Sequence, residues 1–291
     1  MQSSIPSFGN LAYPDVYVSY FVMITACRKL VTYHYVSTTS TNDDAKRLVA
    51  QVRSEGSDVD LLLVSTDFQS AGRGCTGAWE SRPGENLLFS IVVGSPLRFG
   101  VGNRSLPLRV SDSFSLLEVA SLAVYDALSE LLLSRGHSDR LSIKWPNDIF
   151  FGDRKLCGTL IENTLRADTI DYSVIGIGLN VRQTSFPPNL PHASSLARIV
   201  SPLPSNDRIL RSIVDRFKTR LFTLEHVDPA EVHRGYLDHL YRRSGFHLFS
   251  EPGGNPFSAR IVSVSPQGQL ILSDTSGRTL RYLFKQVEFV L

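Results

Sequence analysis

The chain has 291 residues, of which 42% are hydrophobic and 20% charged, a composition typical of globular proteins that argues against a fibrous or disordered chain. Its 30 basic and 28 acidic side chains leave a net charge of +2, so the charge gives no reason to expect a nucleic-acid partner. Cys27, Cys75 and Cys157 form no CxxC pair and support neither a zinc site nor a disulfide framework, which favours a reducing, cytoplasmic location.

The first 36 residues are predicted to form an extended lead-in segment. They mix proline, tyrosine and β-branched residues without a helical period. Their longest apolar run, residues 16–27, is shorter than the ~20 residues that span a bilayer, and no Arg or Lys precedes residue 28. We therefore expect neither a membrane span nor a targeting segment here.

The first helix is predicted directly after Ser40 and Thr41. Asn42 is a good N-cap residue, and Asp43 and Asp44 stand in the first turn, where the helix dipole favours carboxylates. The apolar residues that follow repeat at helical spacing: Ala45, Leu48, Val49 and Val52.

Two continuous apolar runs, residues 61–66 and 87–93, have the length of strands. A glycine-rich polar link joins them and is long for a hairpin, and long loops are usually functional. Three later segments have helical patterns with good end signals: residues 111–135 before Gly136, residues 206–225, and the segment that starts at Asp228 and Pro229.

Three strand-like segments in the middle of the chain carry polar groups or glycines at defined points. In residues 143–148 (IKWPND), Pro146 ends the strand and presents Lys144 as a cation at the strand end. Residues 155–162 (KLCGTLIE) and 174–181 (VIGIGLNV) are apolar strands interrupted by glycines and polar groups. Together the three segments predict the floor of a small-molecule site.

Residues 72–77 (GRGCTG) formally match the pattern G-x-G-x-x-G. A dinucleotide-binding fingerprint must open a helix, but here Pro83 and Gly84 precede a strand, and the HRD and DFG elements of a kinase are absent. Both folds are therefore rejected, and a flexible surface loop is the local alternative.

After residue 243 the pattern changes to short alternating strands separated by turns at Gly268 and Gly277. About 48 residues of this kind predict a small β-barrel. A domain of this size is weakly stable alone, so we expect it to dock on the larger domain.

The order of these motifs resembles that of the biotin protein ligases (holocarboxylase synthetases). GRG at residues 72–74 precedes KWPND, K-L-x-G-x-L-x-E and G-I-G-L-N, and the resemblance covers about residues 40–180. It implies an α+β fold with a mixed sheet flanked by helices, like that of class II synthetases, and a C-terminal SH3-like β-barrel. It further implies a lead-in at 1–36, a catalytic domain at 37–243 and a C-terminal domain at 244–291, the form without an N-terminal DNA-binding domain.

The activity that the resemblance implies has two steps. Biotin and ATP form biotinyl-5′-AMP and pyrophosphate, and a lysine of a biotin carrier domain of a carboxylase then attacks the anhydride. Mg²⁺ is expected to arrive with ATP rather than in a protein-built cage, and the seven histidines have neither metal nor triad spacing. We expect no nucleic-acid or membrane partner, and a homodimer stays open.

The resemblance also assigns roles to individual residues. Lys144 and Arg73 are the implied catalytic cations, because the biotin carboxylate and the α-phosphate are both anionic. The implied biotin contacts are Ser40, Thr41, Asn42, Gln69, Arg73, Gly74, Cys75, Lys144 and Gly158. The implied contacts with ATP or the adenylate are Arg73, Trp79, Asn147, Lys155 and Asn180.

Several of these residues also have local explanations that need no ligand. Trp79 fits a buried core aromatic, Lys155 a surface lysine and Asn180 a turn residue. Strand bulges would explain the glycines nearly as well as a close approach of a ligand or a neighbouring backbone: Gly158, Gly176 and Gly178.

Two rival functions stay open on the sequence alone. Lipoate ligases share the implied fold, but their R-R-x-x-G-G-G-x-V run is missing here. A non-catalytic homologue that binds biotin or a nucleotide gains support from Cys75, which stands where the family has the second arginine of G-R-G-R, and from a shortened loop. Arg82 is the candidate replacement for that arginine.

Overall fold

The computed structural model describes residues 16–19, 28–74, 77, 79, 81–94, 98–101, 104–137 and 140–291. Its strands, in chain order, are β1 (Val16–Ser19), β2 (Leu30–Thr38), β3 (Leu61–Gln69), β4 (Leu87–Gly94), β5 (Arg98–Val101), β6 (Arg104–Pro107), β7 (Leu141–Lys144), β8 (Asp148–Phe151), β9 (Arg154–Arg166), β10 (Thr169–Leu179), β11 (His247–Ser250), β12 (Phe257–Val264), β13 (Leu270–Asp274), β14 (Thr279–Tyr282) and β15 (Glu288–Phe289). Its α-helices are α1 (Thr41–Ser54), α2 (Phe114–Leu133), α3 (Asn206–Phe222) and α4 (Pro229–Asp238).

A mixed sheet of eight strands carries the site, in the spatial order β1-β2-β3-β4-β10-β9-β8-β7. β2 and β3 run parallel, and the other neighbours run antiparallel. A parallel pair needs a crossover connection, which α1 supplies. The predicted α+β class and the strands predicted at 61–66 and 87–93 are confirmed.

The apolar run in β4 reflects a strand that is covered on both faces. Phe89 and Ile91 belong to a large core shared with α2, α3 and α4, whereas Val92 belongs to a smaller core shared with α1. All eight residues of β4 are buried. Such a strand needs no polar alternation, because neither face meets water.

The start of α1 corrects one prediction. Ser40, rather than Asn42, is the N-cap residue, and Asn42 lies inside the first turn. The Asn42 side chain is buried and reaches Ser90 and Glu162 on the neighbouring sheet. Contacts across the fold therefore override the local preference of asparagine for a cap.

The other predicted helices are present with modest shifts of their ends. α2 begins after a 3₁₀ turn at Val110–Asp112 and stops before Gly136, whose φ is +75°. α3 ends at Phe222 and continues as a π-helical turn to Val227. α4 starts as predicted, because the Asp228 side chain accepts a hydrogen bond from the Ala230 N–H and proline follows the cap.

The C-terminal strands form an antiparallel sheet in the order β14-β13-β12-β11-β15. Its hydrogen bonds leave β14 and β15 as two edges, so they do not close the predicted barrel. Buried residues of this sheet, including Phe249 and Leu270, belong to the same core as Leu116 on α2 and Tyr236 on α4. The small sheet is therefore docked on the larger part, as predicted.

The predicted boundary between lead-in and catalytic domain falls within β2. This strand begins at Leu30 and pairs with β3 along its length. The division at residue 36 stays a prediction, and the main sheet includes residues on both sides of it. Within the part of the chain described here, no helix is long and apolar enough to cross a membrane.

Glu118 on α2 and His233 on α4 form a polar contact where both helices meet the C-terminal sheet. His233 Nδ1 lies 2.6 Å from Glu118 Oε1, and Glu118 is 3% exposed. The hydrogen bond to Glu118 raises the pKa of His233, and a bond with the Val264 backbone adds to it. Burial raises the pKa of Glu118.

This contact predicts a fall of stability at alkaline pH. Folding raises the pKa of His233. The contribution of His233 to folding stability is therefore complete below the pKa of ~6.5 in the unfolded chain, and it is lost as the pH rises through the pKa in the folded protein. Glu118 acts in the same direction. We expect His233→Gln to cost more unfolding free energy at about pH 6 than at about pH 9 in denaturant titrations. An equal cost at both pH values would contradict the assignment.

Candidate active site

One cavity of about 290 Å³ gathers most of the residues that the motifs indicated. It lies between the N-terminus of α1, the hairpin of β7 and β8, strands β9 and β10, and the C-terminal sheet. The predicted residues on its lining are Ser40, Thr41, Asn42, Gln69, Arg73, Gly74, Trp79, Lys144, Asn147, Lys155 and Gly158. Asn180 does not line it, and Cys75 falls outside the described residues.

One end of the cavity presents hydroxyl and amide groups. The Thr41 N–H and hydroxyl both donate to Gln69 Oε1, at 2.8 and 3.0 Å. Ser90 Oγ lies 2.7 Å from Thr41 Oγ1 and 2.6 Å from Asn42 Oδ1, and Asn42 Nδ2 donates to Glu162 at 2.6 Å. Side chains held in this way keep one rotamer, which suits recognition of a neutral polar group.

Ser90 is a site residue that the sequence analysis missed. It stands inside the apolar run of β4 and is fully buried, so no local signal separated it from a core serine. Its hydroxyl lies behind Thr41 and Asn42 rather than on the cavity lining.

The glycines of β9 and β10 allow side chains to approach the sheet closely. A Cβ at Gly176 would overlap the Asn42 amide, and one at Gly178 would come within 2.5 Å of the Trp79 indole. Gly158 is the register partner of Gly178, and a Cβ there would come within 3.2 Å of the same ring. The register is regular at these residues, so close approach rather than a bulge explains them.

Trp79 lies over the paired glycines on the cavity wall. It is only partly buried as a residue, so it is not a core aromatic. Its Nε1 atom is nevertheless shielded from solvent and has no hydrogen-bond partner among the described residues. A buried N–H without a partner is costly, and a ligand acceptor in the cavity would satisfy it.

Lys144 ends β7, as predicted, but it is not exposed. Its ammonium lies over the rings of Phe150 and Phe289, 5.2 and 5.1 Å from their centroids. Burial lowers the pKa of Lys144, while Asp148 opposes that shift. The cavity therefore holds a partly desolvated cation at a strand end.

Lys155 and Asp148 form an ion pair on the same wall, with Nζ and Oδ1 2.7 Å apart. The Asn147 amide donates to the Thr159 carbonyl, which fixes the turn between β7 and β8 against β9. Lys155 is thus engaged with the protein, although it also lines the cavity.

Arg73 is held by a carboxylate at the start of α1. Its two terminal nitrogens donate to both oxygens of Asp43, at 2.8 and 2.6 Å, and Glu162 lies 3.7 Å away. This hydrogen bonding lowers the pKa of Asp43. The Arg73 guanidinium therefore lines the cavity while it is paired with the Asp43 carboxylate.

Asn180 and Arg82 lie apart from the cavity. Asn180 is buried, and its amide donates to the Ser194 carbonyl at 3.0 Å. Arg82 is exposed and pairs with Glu85 at 3.9 Å. Arg82 is not on the cavity lining, so its role as a replacement for a second arginine stays a prediction.

The C-terminal sheet contributes a wall that the sequence analysis did not predict. Trp145 links the two parts, because its Nε1 donates to the Gly268 carbonyl at 3.0 Å and its ring packs against Phe284. No periodicity or motif marks these residues as neighbours of the site. The lining residues on this wall are Phe284, Lys285, Val287, Glu288 and Phe289.

Comparison with known proteins decides the family. The model of the Biotin/lipoate A/B protein ligase family matches residues 33–180, which include α1 and the hairpin that presents Lys144. The chain belongs to this family. The family membership predicted from the motifs is confirmed, and the match spans half of this ligase-family chain.

Individual relatives support the same placement. The chain is 28% identical to a biotin–[acetyl-CoA-carboxylase] ligase of Mycobacterium tuberculosis, over 84% of this chain and 83% of that protein. It is 30% identical to the bifunctional ligase/repressor BirA of Bacillus subtilis, over 84% of this chain and 70% of that protein. The fold matches the biotin protein ligase of Aquifex aeolicus in complex with biotin and ATP, with a TM-score of 0.67, 20% identity, and coverage of 89% and 99%.

Proposed function

We propose that this protein is a biotin protein ligase, which activates biotin with ATP and transfers it to a lysine of a biotin carrier domain. The observation that carries the proposal is the cavity itself. It joins a neutral amide and hydroxyl end, formed by Thr41, Asn42 and Gln69, to the Lys144 ammonium. Arg73 lies beside the first end, because Glu162 Oε2 is 3.7 Å from Arg73 and 2.6 Å from Asn42 Nδ2. Biotin has matching ends, a neutral ureido ring and a carboxylate.

Biotin binds with its ureido group at the hydroxyl and amide end. Ser40, Thr41, Asn42 and Gln69 supply donors and acceptors there, and the sheet behind them fixes their directions. Gly74 and Gly158 line the same cavity without side chains that would fill it. The carboxylate then points towards Lys144.

In the first step, a biotin carboxylate oxygen attacks the α-phosphorus of ATP, and pyrophosphate leaves with the electron pair of the broken P–O bond. Two anions must approach each other, so a fixed cation between them lowers the barrier. Lys144 supplies this cation. Its ammonium lies over the rings of Phe150 and Phe289, and no carboxylate of the described residues forms an ion pair with it. Arg73 turns from Asp43 to the phosphoryl group.

In the second step, the neutral amine of a carrier lysine attacks the acyl carbon of biotinyl-AMP. The amide bond forms and its nitrogen releases a proton to the solvent. The bond between the acyl carbon and the phosphate oxygen breaks, and AMP leaves with that oxygen and the electron pair of the bond. Exclusion of water from the cavity protects the anhydride from hydrolysis until the carrier arrives.

The nucleotide lies over the Trp79 wall. Trp79 Nε1, which has no hydrogen-bond partner among the described residues, offers a donor there, and Asn147 and Lys155 line the adjoining surface. Asn180 supports this wall from behind, because it binds the Ser194 carbonyl in the segment whose backbone pairs with Lys155. We propose this indirect role in place of a direct contact.

Mg²⁺ enters with the ATP phosphates in this proposal. The described residues include no group of three or more His, Cys, Asp or Glu side chains that could hold a metal. Asp148 and Glu288 are the acidic residues on the lining, and one or two carboxylates with phosphate oxygens suffice for Mg²⁺. The ion would neutralise charge on the phosphates.

The implied partners are biotin carrier domains of carboxylases, and the implied location is the cytoplasm. The test is ATP–pyrophosphate exchange with biotin or lipoate, followed by transfer to a carrier domain. We expect pyrophosphate exchange in the presence of biotin and none in the presence of lipoate. Exchange with lipoate would favour the lipoate ligase, and biotin binding without exchange would favour a non-catalytic homologue.

The ion pair of Arg73 predicts a variant that retains the adenylate longer. Asp43→Asn removes the charge that competes for Arg73, so the guanidinium turns to the phosphoryl group more readily. Loss of an exposed ion pair changes the equilibrium of Arg73 between Asp43 and the phosphoryl group by at most about five-fold. We therefore expect up to this much slower release of biotinyl-AMP, measured by rapid dilution.

The matched control is Asp168→Asn, which removes a similar exposed pair with Arg109 outside the cavity. Release from this variant should equal that from the wild type. Faster release from Asp43→Asn would show that Asp43 orders the segment around Arg73 instead of competing with the ligand.

A further inference from the structure

Two aromatic rings from different sheets enclose the Lys144 ammonium. Phe150 belongs to β8 of the main sheet, and Phe289 belongs to β15, at the edge of the C-terminal sheet. The Nζ atom lies 5.2 and 5.1 Å from the two centroids, within the range of cation–π attraction. Phe289 is 7% exposed, so this contact is desolvated.

The charged groups around Lys144 do not neutralise it. Asp148 is the nearest acidic neighbour along the chain, and Lys155 holds it at 2.7 Å. Burial lowers the pKa of Lys144 most. Asp148 and, less strongly, Glu288 from the C-terminal sheet favour its charged form, whereas Lys155 and Arg242 disfavour it. Across the described ranges of the chain, no carboxylate lies within ion-pair distance of Lys144, so the rings hold an ammonium whose charge stays available.

Two aromatic rings and a hydrogen bond to the neighbouring residue hold Phe289 in place. Its ring packs on Phe249, at 4.9 Å between centroids, and on Tyr241, at 5.8 Å. Tyr241 in turn packs on Phe150, at 5.5 Å, and Arg242 donates to the Val290 carbonyl at 2.8 Å. Tyr241, which lies between α4 and β11, therefore packs on both of the rings around Lys144.

We propose that Phe289 is a positioning residue for Lys144: its ring, together with that of Phe150, holds the ammonium at the cavity without an ion-pair partner among the described residues, and so couples the docked C-terminal sheet to the reacting end of the site. The catalytic part of this inference rests on the proposed ligase function. A carboxylate in the place of Phe289 would hold the lysine equally well, but it would neutralise the charge that a ligand anion needs. Ring faces attract the cation without a full negative charge.

The experiment compares Phe289→Leu with the conservative Phe289→Tyr. The matched control is Phe257→Leu, which makes the same change in the same sheet, where the ring packs on Phe249 and Tyr282 instead of Lys144. Thermal unfolding shows whether each variant keeps its fold.

The first readout is NMR of ¹³C-labelled lysine, which needs no catalytic activity. The chain has six lysines, and Lys144→Arg assigns the signal of Lys144. Its methylene next to Nζ should appear upfield, because it lies over ring faces. In Phe289→Leu the signal should move downfield, and its titration midpoint should fall by about half to one pH unit, since the charged form loses one ring. Phe289→Tyr and Phe257→Leu should leave both quantities unchanged.

The second readout is biotin-dependent pyrophosphate exchange at several pH values. Phe289→Leu should lower the exchange rate about three- to thirty-fold. The midpoint of its pH–rate profile on the alkaline side should shift by the same amount as the NMR midpoint. Phe289→Tyr should keep the wild-type rate and the wild-type pH profile. An unchanged Lys144 signal in Phe289→Leu, or an equal change in Phe257→Leu, would overturn the proposal. So would a shifted signal with an unchanged rate. If the wild type shows no exchange, the ligase function fails, and the NMR comparison still decides whether Phe289 holds Lys144.

Discussion

Lys144→Ala is expected to reduce biotin-dependent pyrophosphate exchange by about 100-fold or more. The variant removes the cation that β7 presents at its end, where the proposed reaction brings the biotin carboxylate and the α-phosphate together. The charge acts in a partly desolvated place between two rings, where electrostatic contacts are stronger than in water. The measurement is the exchange rate at saturating ATP and biotin.

The stability of this variant should not fall. Lys144 is partly buried without an ion pair in the described structure, so its removal also removes a desolvation cost. Lys218→Ala, on α3 and outside the cavity lining, is the matched control and should exchange at the wild-type rate. Activity of Lys144→Ala within a few-fold of the wild type would show that another group carries the charge.

Gly94→Ala is expected to destabilise the protein by about 3 kcal/mol or more. Gly94 ends β4, where its N–H donates to the Asp60 carbonyl at 3.0 Å and its own carbonyl accepts from Arg28 at 2.8 Å. A Cβ at this position would overlap the Val59 carbonyl oxygen. The obstacle is backbone and cannot rotate away, so the strand end itself must move. Denaturant unfolding measures the loss.

Gly235→Ala provides the matched control for this change. Gly235 lies in α4, and a Cβ there would meet Leu122 at 3.6 Å, an ordinary contact distance. Alanine is the better helix former, so this variant should gain about 0.5–1 kcal/mol. A loss for Gly94→Ala no larger than 1 kcal/mol would mean that the end of β4 adapts easily.

The C-terminal sheet contacts two consecutive residues of the candidate site. Trp145 and Lys144 are consecutive residues, and each contacts that sheet, one through the Gly268 carbonyl and one through Phe289. Loosening of the sheet would therefore free the segment that presents Lys144, the proposed catalytic lysine. Stability of the small sheet and the rate of the first step are expected to change together.

Elements whose signals are local can be predicted from the sequence alone. The end of β7 at Lys144, the start of α4 after Asp228 and the strands β3 and β4 follow from proline, capping and apolar runs that act within a few residues. The ordered motifs determined the family, and most of the residues they indicated lie on one cavity.

Contacts between residues that are distant in the chain become visible only in the folded structure. Asn42 has the local chemistry of a cap, but Ser90 and Glu162 engage it across the sheet. Asn180 lies behind the cavity, and Phe289 lies on it next to Lys144. The spacing of apolar residues in a sequence indicates which residues are buried. It does not indicate which distant residues meet, because the packing of sheets and helices sets these distances.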